Sequence, residues 1–386
     1  MPRSARNFAF CVLFFFSPLL LFIVSVKGAL WKTGETIPAS IIASRQQSEE
    51  IVWLRDSFDQ AIFPYKSIAY EMRKPRIVAL GSSRAMKFRS QMFGRDSTGF
   101  FNGGGLIRSI ADLERFEASL NASNTPQIIL LGIDHWWLNG RLPDEPQHLD
   151  DAVFNWRAHM EVWRRLAKKQ TRKDGQPAIR ERLQLALKKN DVRTVGIRAQ
   201  LTGGGFRSDG SKASEESPPV SAQQWRLPDN DWLNKLRRGE GDCLPTTGVD
   251  PELRERLRAV LQQLQKRNIF VLIFAPPLSS EAAKIITHVP HQKNLWSEYL
   301  RDTKLICAQL KIPFCDASTP DKLHLTDVYM SDEKHAEETF HLYILREWLK
   351  DPRVQKALPD TSRVVEAALA SPHTNYWFPD LSAASQ

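Results

Sequence analysis

Ile77-Val78-Ala79-Leu80-Gly81-Ser82-Ser83-Arg84 is the stretch from which the fold is read. Four consecutive apolar residues ending in glycine form the continuous run of a strand buried on both faces, as in a parallel sheet. The glycine lets the backbone turn sharply and sets a serine on the strand-to-helix turn, where acyl-transfer enzymes carry a nucleophile. A helix predicted over residues 85–92 would point its N–H groups and positive dipole end at the same place. Serine is also a preferred N-cap, so Ser83 alone reads equally well as a helix start. Near the other end, Ser331-Asp332-Glu333-Lys334-His335 supplies an Asp-x-x-His, in which a carboxylate can orient an imidazole that serves as general base. Asp321-Lys322-Leu323-His324 has the same spacing, and His341 is a further histidine nearby.

Outward from the Gly81 turn the pattern alternates. A strand at 99–102, a helix at 106–120 and a strand at 127–132 follow, then a pause. The series resumes with a helix at 251–266, for which Asp250 is the N-cap and Pro251 the first helical residue, and a strand at 269–275 ending in Pro276-Pro277. A helix at 293–310, a short strand at 312–316 and a helix at 333–349 close it. Five short strands alternating with helices predict an α/β domain built on a doubly wound, parallel, five-stranded sheet. Ser83 and the Asp332-His335 pair then both lie at carboxyl ends of strands. Upstream, Ile51, Leu54, Phe58 and Ile62 recur at helical spacing and predict a helix over 49–72. The expected organisation is a membrane anchor at 1–28, a tether and helix at 29–75, the α/β domain at 76–138 and 250–350, a basic helical insertion at 139–249 and a tail at 351–386.

The order of these residues resembles the SGNH (GDSL-like) hydrolase superfamily over roughly residues 76–350: serine first, then aspartate and histidine within four residues before a last helix. The resemblance implies a flavodoxin-like fold. It makes Ser83 the nucleophile, with Ser82 standing where the family has aspartate, and Asp332 and His335 the terminal block. That block is preferred over Asp321 and His324 because a helix carrying Phe340, Tyr343, Ile344 and Trp348 follows it. An oxyanion-binding glycine should lie in Asn102-Gly103-Gly104-Gly105, with the choice among Gly103, Gly104 and Gly105 open. The Gly-x-Asn-Asp block falls on Gly132-Ile133-Asp134-His135, where Asp134 replaces the asparagine. An ionised carboxylate accepts hydrogen bonds and cannot donate to an oxyanion. This departure moves the comparison toward a divergent branch resembling alginate O-acetyltransferases and the D-alanyl transfer protein of teichoic acid modification, which are membrane-tethered and act on cell-surface polymers. The resemblance therefore implies an O-acetyltransferase acting on a cell-envelope polysaccharide through an acyl-serine. The alternatives are a polysaccharide or lipid esterase and a noncatalytic glycan-binding or assembly component. Transfer would require a multi-span membrane acyltransferase as partner, since one span cannot carry an acyl donor across the bilayer. No cofactor and no metal are implied. Trp136 and Trp137 follow at the expected mouth of the site, where indole rings can stack on sugar faces or pack beneath the insertion.

Residues 8–26 carry no charge and are rich in Phe and Leu, long enough at about 1.5 Å per residue to cross a hydrocarbon core of ~30 Å. Arg3 and Arg6 precede this run, which predicts a cytoplasmic N-terminus and an exported remainder; the alternative is a cleaved signal peptide, against which stand the length of the apolar run and the lack of an Ala-x-Ala site after it. The 386-residue chain has a net charge of +9. Residues 157–198 hold thirteen Lys or Arg against four acidic residues, so the excess is local. Such a stretch is either a solvated face or a site of attraction to lipid headgroups or an acidic polysaccharide, whereas export excludes nucleic acid as a partner. Outside the anchor, Cys243, Cys307 and Cys315 allow at most one disulfide, and none has metal-site spacing.

Overall fold

The computed structural model describes residues 3–56, 62–147, 160, 162–164, 178–189, 191–214 and 232–371. The chain forms two compact units: residues 1–61, 150–208 and 213–216 make one, and residues 62–149, 209–212 and 217–386 the other.

The larger unit is α/β. Its sheet consists of β1 (Ile77–Leu80), β2 (Phe100–Asn102), β3 (Ile128–Gly132), β4 (Phe270–Ala275) and β5 (Phe314–Asp316), all parallel, in the order β2-β1-β3-β4-β5. This order is compatible with a flavodoxin-like fold. Val78 pairs with Phe101 on one side and Ile129 on the other, and Leu130 pairs with Leu272. Every residue of β1 and β3 is buried, which is why these strands read as unbroken apolar runs rather than alternating ones. The strand order reverses between β1 and β3, so the loops leaving their carboxyl ends diverge and open a crevice there.

The helices that flank this sheet start where capping chemistry allows. The Asp250 carboxylate accepts from the N–H groups of Glu252 and Leu253 at the head of Pro251–Lys266, and Ser109 accepts from Asp112 N at the head of Ile110–Ser119. Ser279 caps Ser280–His288, a helix absent from the sequence reading, and Pro290 opens Pro290–Gln309. The last expected helix begins at Glu338 rather than at residue 333, which leaves Asp332 and His335 in the turn before it. Its buried face carries Phe340, Ile344, Leu345 and Trp348, and the Trp348 indole donates to Ile273 O in β4 at 3.2 Å. Helices Pro352–Ala357 and Thr361–Ala370 occupy part of the stretch expected to be a tail, with Val354, Val365 and Ala368 fully buried.

No α-helix forms over 85–92. A 3-10 turn, Ser83–Ala85, follows β1, and the next helical element is the 3-10 stretch Ser90–Gly99. The Asn102 side chain is the physical reason: its amide nitrogen donates to both Ala85 O and Phe88 O at 2.9 Å and so takes carbonyls that a helix would have used.

In the smaller unit, helices Arg3–Lys32, Ala39–Arg45, Ile179–Lys189 and Ile197–Thr202 accompany short strands. Val52–Trp53 pairs parallel with Thr194–Val195 and antiparallel with Gly205–Phe206. The expected helix over 49–72 is therefore a strand at its start and a helix only over Ile62–Arg73, with 57–61 outside the described residues. Ile51 and Trp53 are buried by partners some 140 residues further along the chain, which local spacing does not register. Leu30 packs against Leu183, Ala186 and Ile197. Within the basic stretch, Arg182 is not on a solvated face: its guanidinium lies 2.6 Å from Asp56 and both side chains are buried. Residues 165–177 and 215–231 lie outside the described residues. So do the side chains of residues 8–13, the first part of the uncharged run, and among the described residues no helix is long and apolar enough to cross a membrane. Cys243, Cys307 and Cys315 are buried free thiols, and burial pushes the first two up to about 12 and the third higher.

Candidate active site

The site starts from a close approach of two strands. Gly81 has φ of +138°, and a Cβ there would stand 2.9 Å from Gly132 O; a Cβ on Gly132 would stand 2.8 Å from the Phe274 ring. Glycine at both positions lets the ends of β1 and β3 close up. Gly132, expected among the oxyanion or substrate groups, instead serves this packing.

Past Gly81 the two serines divide their tasks. Ser82 is the N-cap of the 3-10 turn, its buried hydroxyl accepting from Arg84 N at 3.3 Å. Ser83 is exposed, and its Oγ lies 2.8 Å from His335 Nε2. His335 Nδ1 lies 2.7 Å from Asp332 Oδ2, while Asp332 Oδ1 accepts from the N–H groups of Lys334 and His335 at 2.9 Å each. Burial works against the Asp332 charge, but the imidazole and the two backbone N–H groups outweigh it and hold the carboxyl down at about 2. An ionised Asp332 accepts the Nδ1–H, which leaves Nε2 as the acceptor of the Ser83 hydroxyl proton.

The turn bearing this pair is fixed by its own carbonyls. Ser331 N donates to His335 O at 2.8 Å, Ser279 N to Glu333 O at 2.9 Å, and Arg84 Nε to Lys334 O at 3.1 Å. The rival pair is elsewhere: Asp321 and His324 are exposed, His324 has φ of +57°, and neither contacts Ser83. His341 is buried in the final helix with its ring nitrogens 2.9 Å from Glu337 O and 3.2 Å from Arg84 O, and burial lowers its pKa to about 4.

The low Asp332 pKa has a measurable consequence. A carboxyl titrates near 3.9 in the unfolded chain, so this group stabilises the fold above that pH and loses its contribution as pH falls through about 2. Asp332→Asn is expected to flatten the acid limb of the stability curve between those values. An unchanged limb in an acid titration followed by circular dichroism would contradict the charge assigned to Asp332.

The glycine-rich segment does not behave as expected of an oxyanion donor. Gly103 N–H donates to Ala79 O and Gly105 N–H to Gly81 O, each at 2.8 Å, and Gly104 N–H donates to Asn102 Oδ1 at 2.8 Å. Gly103 and Gly105 are committed to holding the end of β2 against β1, and Gly104 to the Asn102 side chain within the same segment. The Ser83 N–H, at the start of its turn, has no intramolecular partner among the described residues and is the available backbone donor beside the hydroxyl.

Asp134 is explained by a residue the sequence reading passed over. The fully buried Arg84 guanidinium pairs with Asp134 Oδ1 at 2.7 Å and donates to Pro276 O at 2.5 Å, to Pro277 O at 2.6 Å and to Lys334 O. It thus ties the ends of β1, β3 and β4 to the turn that carries His335. Burial raises the Asp134 pKa, with Arg84 and Ser82 pulling it back. The only sequence signal for this clamp was an arginine directly after Ser83 and a carboxylate in place of asparagine.

Beyond Asp134 the 3-10 turn His135–Leu138 carries the aromatic residues. His135 is fully buried, with Trp136 and Trp296 rings 5.2 Å away and both its nitrogens unpartnered among the described residues; burial, with Arg84 and Lys334 nearby, pushes its pKa well below the usual range. Trp136 is half-buried with the Arg84 guanidinium 5.6 Å over its ring, whereas Trp137 is only 3% exposed and is a packing residue before anything else. No protein-family model matches the chain, and no curated protein matches it.

Proposed function

We propose that this chain is a membrane-anchored, extracytoplasmic SGNH-like enzyme that transfers an acyl group, acetyl first among candidates, to a hydroxyl of a cell-envelope polysaccharide. The observation that carries the reading is the relay from exposed Ser83 through His335 to Asp332, with contacts of 2.8 and 2.7 Å at the carboxyl edge of a parallel sheet. Ser83 Oγ attacks the ester carbonyl as its proton passes to His335 Nε2, and Asp332 holds the Nδ1–H and stabilises the imidazolium. The leaving alkoxide takes that proton, which leaves an acyl-serine. A sugar hydroxyl then gives its proton to His335 and attacks the acyl carbon, releasing Ser83. With water as acceptor the same site is an esterase, and without turnover it is a binding component.

The uncharged run within Arg3–Lys32 supports the anchor, and the acyl donor then comes from a multi-span membrane acyltransferase, with the basic stretch beside anionic lipid. A reporter active only in the cytoplasm and fused after Gln386 is expected to stay silent; activity would overturn the exported orientation. The chemistry is tested by brief exposure to 4-nitrophenyl acetate followed by peptide mass measurement. One acetyl group on Ser83 supports the enzyme, and acetylation elsewhere or nowhere favours the binding component.

A further inference from the structure

A cavity of about 260 Å³ lies in the α/β unit, and two contacts join it to residues next in sequence to the relay. Trp136, one of its walls, lies under the guanidinium of Arg84, the residue after Ser83. Asp242, another, lies 3.9 Å from Nζ of Lys334, the residue before His335. We infer that this cavity is the acceptor subsite and that it takes a sugar residue without an anionic substituent, a neutral or amino sugar; the inference rests on the acyl-transfer reading above.

The wall chemistry carries the inference. Trp136 and Trp137 supply flat apolar surface suited to the C–H face of a sugar ring, and the buried Trp137 indole N–H has no partner among the described residues. Asp112, Asp144, Glu145 and Asp242 also line it; both Asp112 carboxylate oxygens are taken by Arg108 N, Arg115 and Gln147, which leaves the other three carboxylates to a ligand. Carboxylates accept hydrogen bonds, and ring hydroxyls or an ammonium donate them. The cations that pair with three of these groups are Arg115 on Asp112 at 3.0 Å, Arg256 on Asp144 at 2.7 Å and Lys334 on Asp242. None of the three is a lining residue, and Arg108 is the only basic side chain in the wall among the described residues. A ligand therefore meets acceptors first. A uronate or phosphorylated ring would set its charge against the carboxylates of Asp144, Glu145 and Asp242, which is the repulsive half of a specificity device. The volume, below the ~300–1,000 Å³ of drug-sized pockets, fits a single sugar unit.

The test is calorimetric titration of the full chain carrying Ser83→Ala, so that binding is read without turnover. The probes are hexasaccharides of β-1,4-glucose, β-1,4-glucosamine and mannuronate. The glucose or the glucosamine oligomer is expected to bind at least about tenfold tighter than the mannuronate oligomer. Trp136→Ala should weaken that binding about tenfold, and Glu145→Lys, at an exposed rim position, should narrow the discrimination against mannuronate. Mannuronate binding as tight as the others, no binding of either non-anionic oligomer, or indifference to both substitutions in folded protein would overturn the inference. Because Ser83 is already absent, failure here is distinct from failure of Ser83 to take an acetyl group.

Discussion

Replacing Ser83 with alanine is expected to lower acyl transfer by about 10⁴-fold or more while leaving thermal stability nearly unchanged. The asymmetry follows from where the hydroxyl points. Ser83 is exposed and its Oγ contacts His335, whereas the cap of the turn is Ser82. Ser83→Ala thus removes no cap and opens no cavity. Ser82→Ala, by contrast, takes a buried hydroxyl away from Arg84 N and is expected to reduce stability by about 0.5 to 2 kcal/mol with a milder loss of rate. Turnover of 4-nitrophenyl acetate, acylation of envelope polymer in cells and the melting midpoint of both variants check this together. Undiminished polymer acylation in a stably expressed Ser83→Ala strain would end the enzymatic reading.

Asp134→Asn is expected to destabilise the fold by about 3 to 5 kcal/mol, a fall in Tm on the order of 10 °C. The change restores the residue that the family resemblance calls for, and on that ground alone it should supply an oxyanion donor. Arg84 decides otherwise: its guanidinium is buried, pairs with Asp134 at 2.7 Å, and would keep its charge without a counter-ion. Arg84→Met should likewise be costly, since Pro276 O, Pro277 O and Lys334 O lose their donor. The double variant Arg84→Met, Asp134→Asn removes both charges, so its destabilisation should fall short of the sum of the single changes by about 0.5 to 3 kcal/mol. Strict additivity in denaturant titrations, or Asp134→Asn within about 1 kcal/mol of the wild type, would show that the pair does not act as a clamp.

Strands and caps were legible because their causes are local. The runs at β1, β3 and β4 are apolar at every position, a pattern that a strand covered on both faces requires, and Asp250-Pro251 announces its helix by side-chain chemistry alone. What escaped depends on partners distant in sequence. The Asn102 amide takes the carbonyls that would have made a helix after Ser83, and Val52–Trp53 becomes a strand only when Thr194–Val195 arrives. The same holds in the site. Residue types raised Ser83 and two Asp-x-x-His pairs, between which the helix expected after His335 and the family resemblance chose, but the glycine N–H groups were already spent on Ala79 O, Asn102 Oδ1 and Gly81 O. Arg84 defied the ordinary expectation that arginine faces water.

The sequence separation of 252 between Ser83 and His335 also sets a clock. At ribosomal rates of about 5 to 20 residues per second, roughly 10 to 50 s separate the synthesis of the serine from that of its base. During that interval the nascent chain carries an ordinary, unactivated hydroxyl. A messenger truncated between codons 133 and 269 therefore yields a polypeptide with β1, β2 and β3 and no His335 beside Ser83, and on the proposed chemistry such a product is inert.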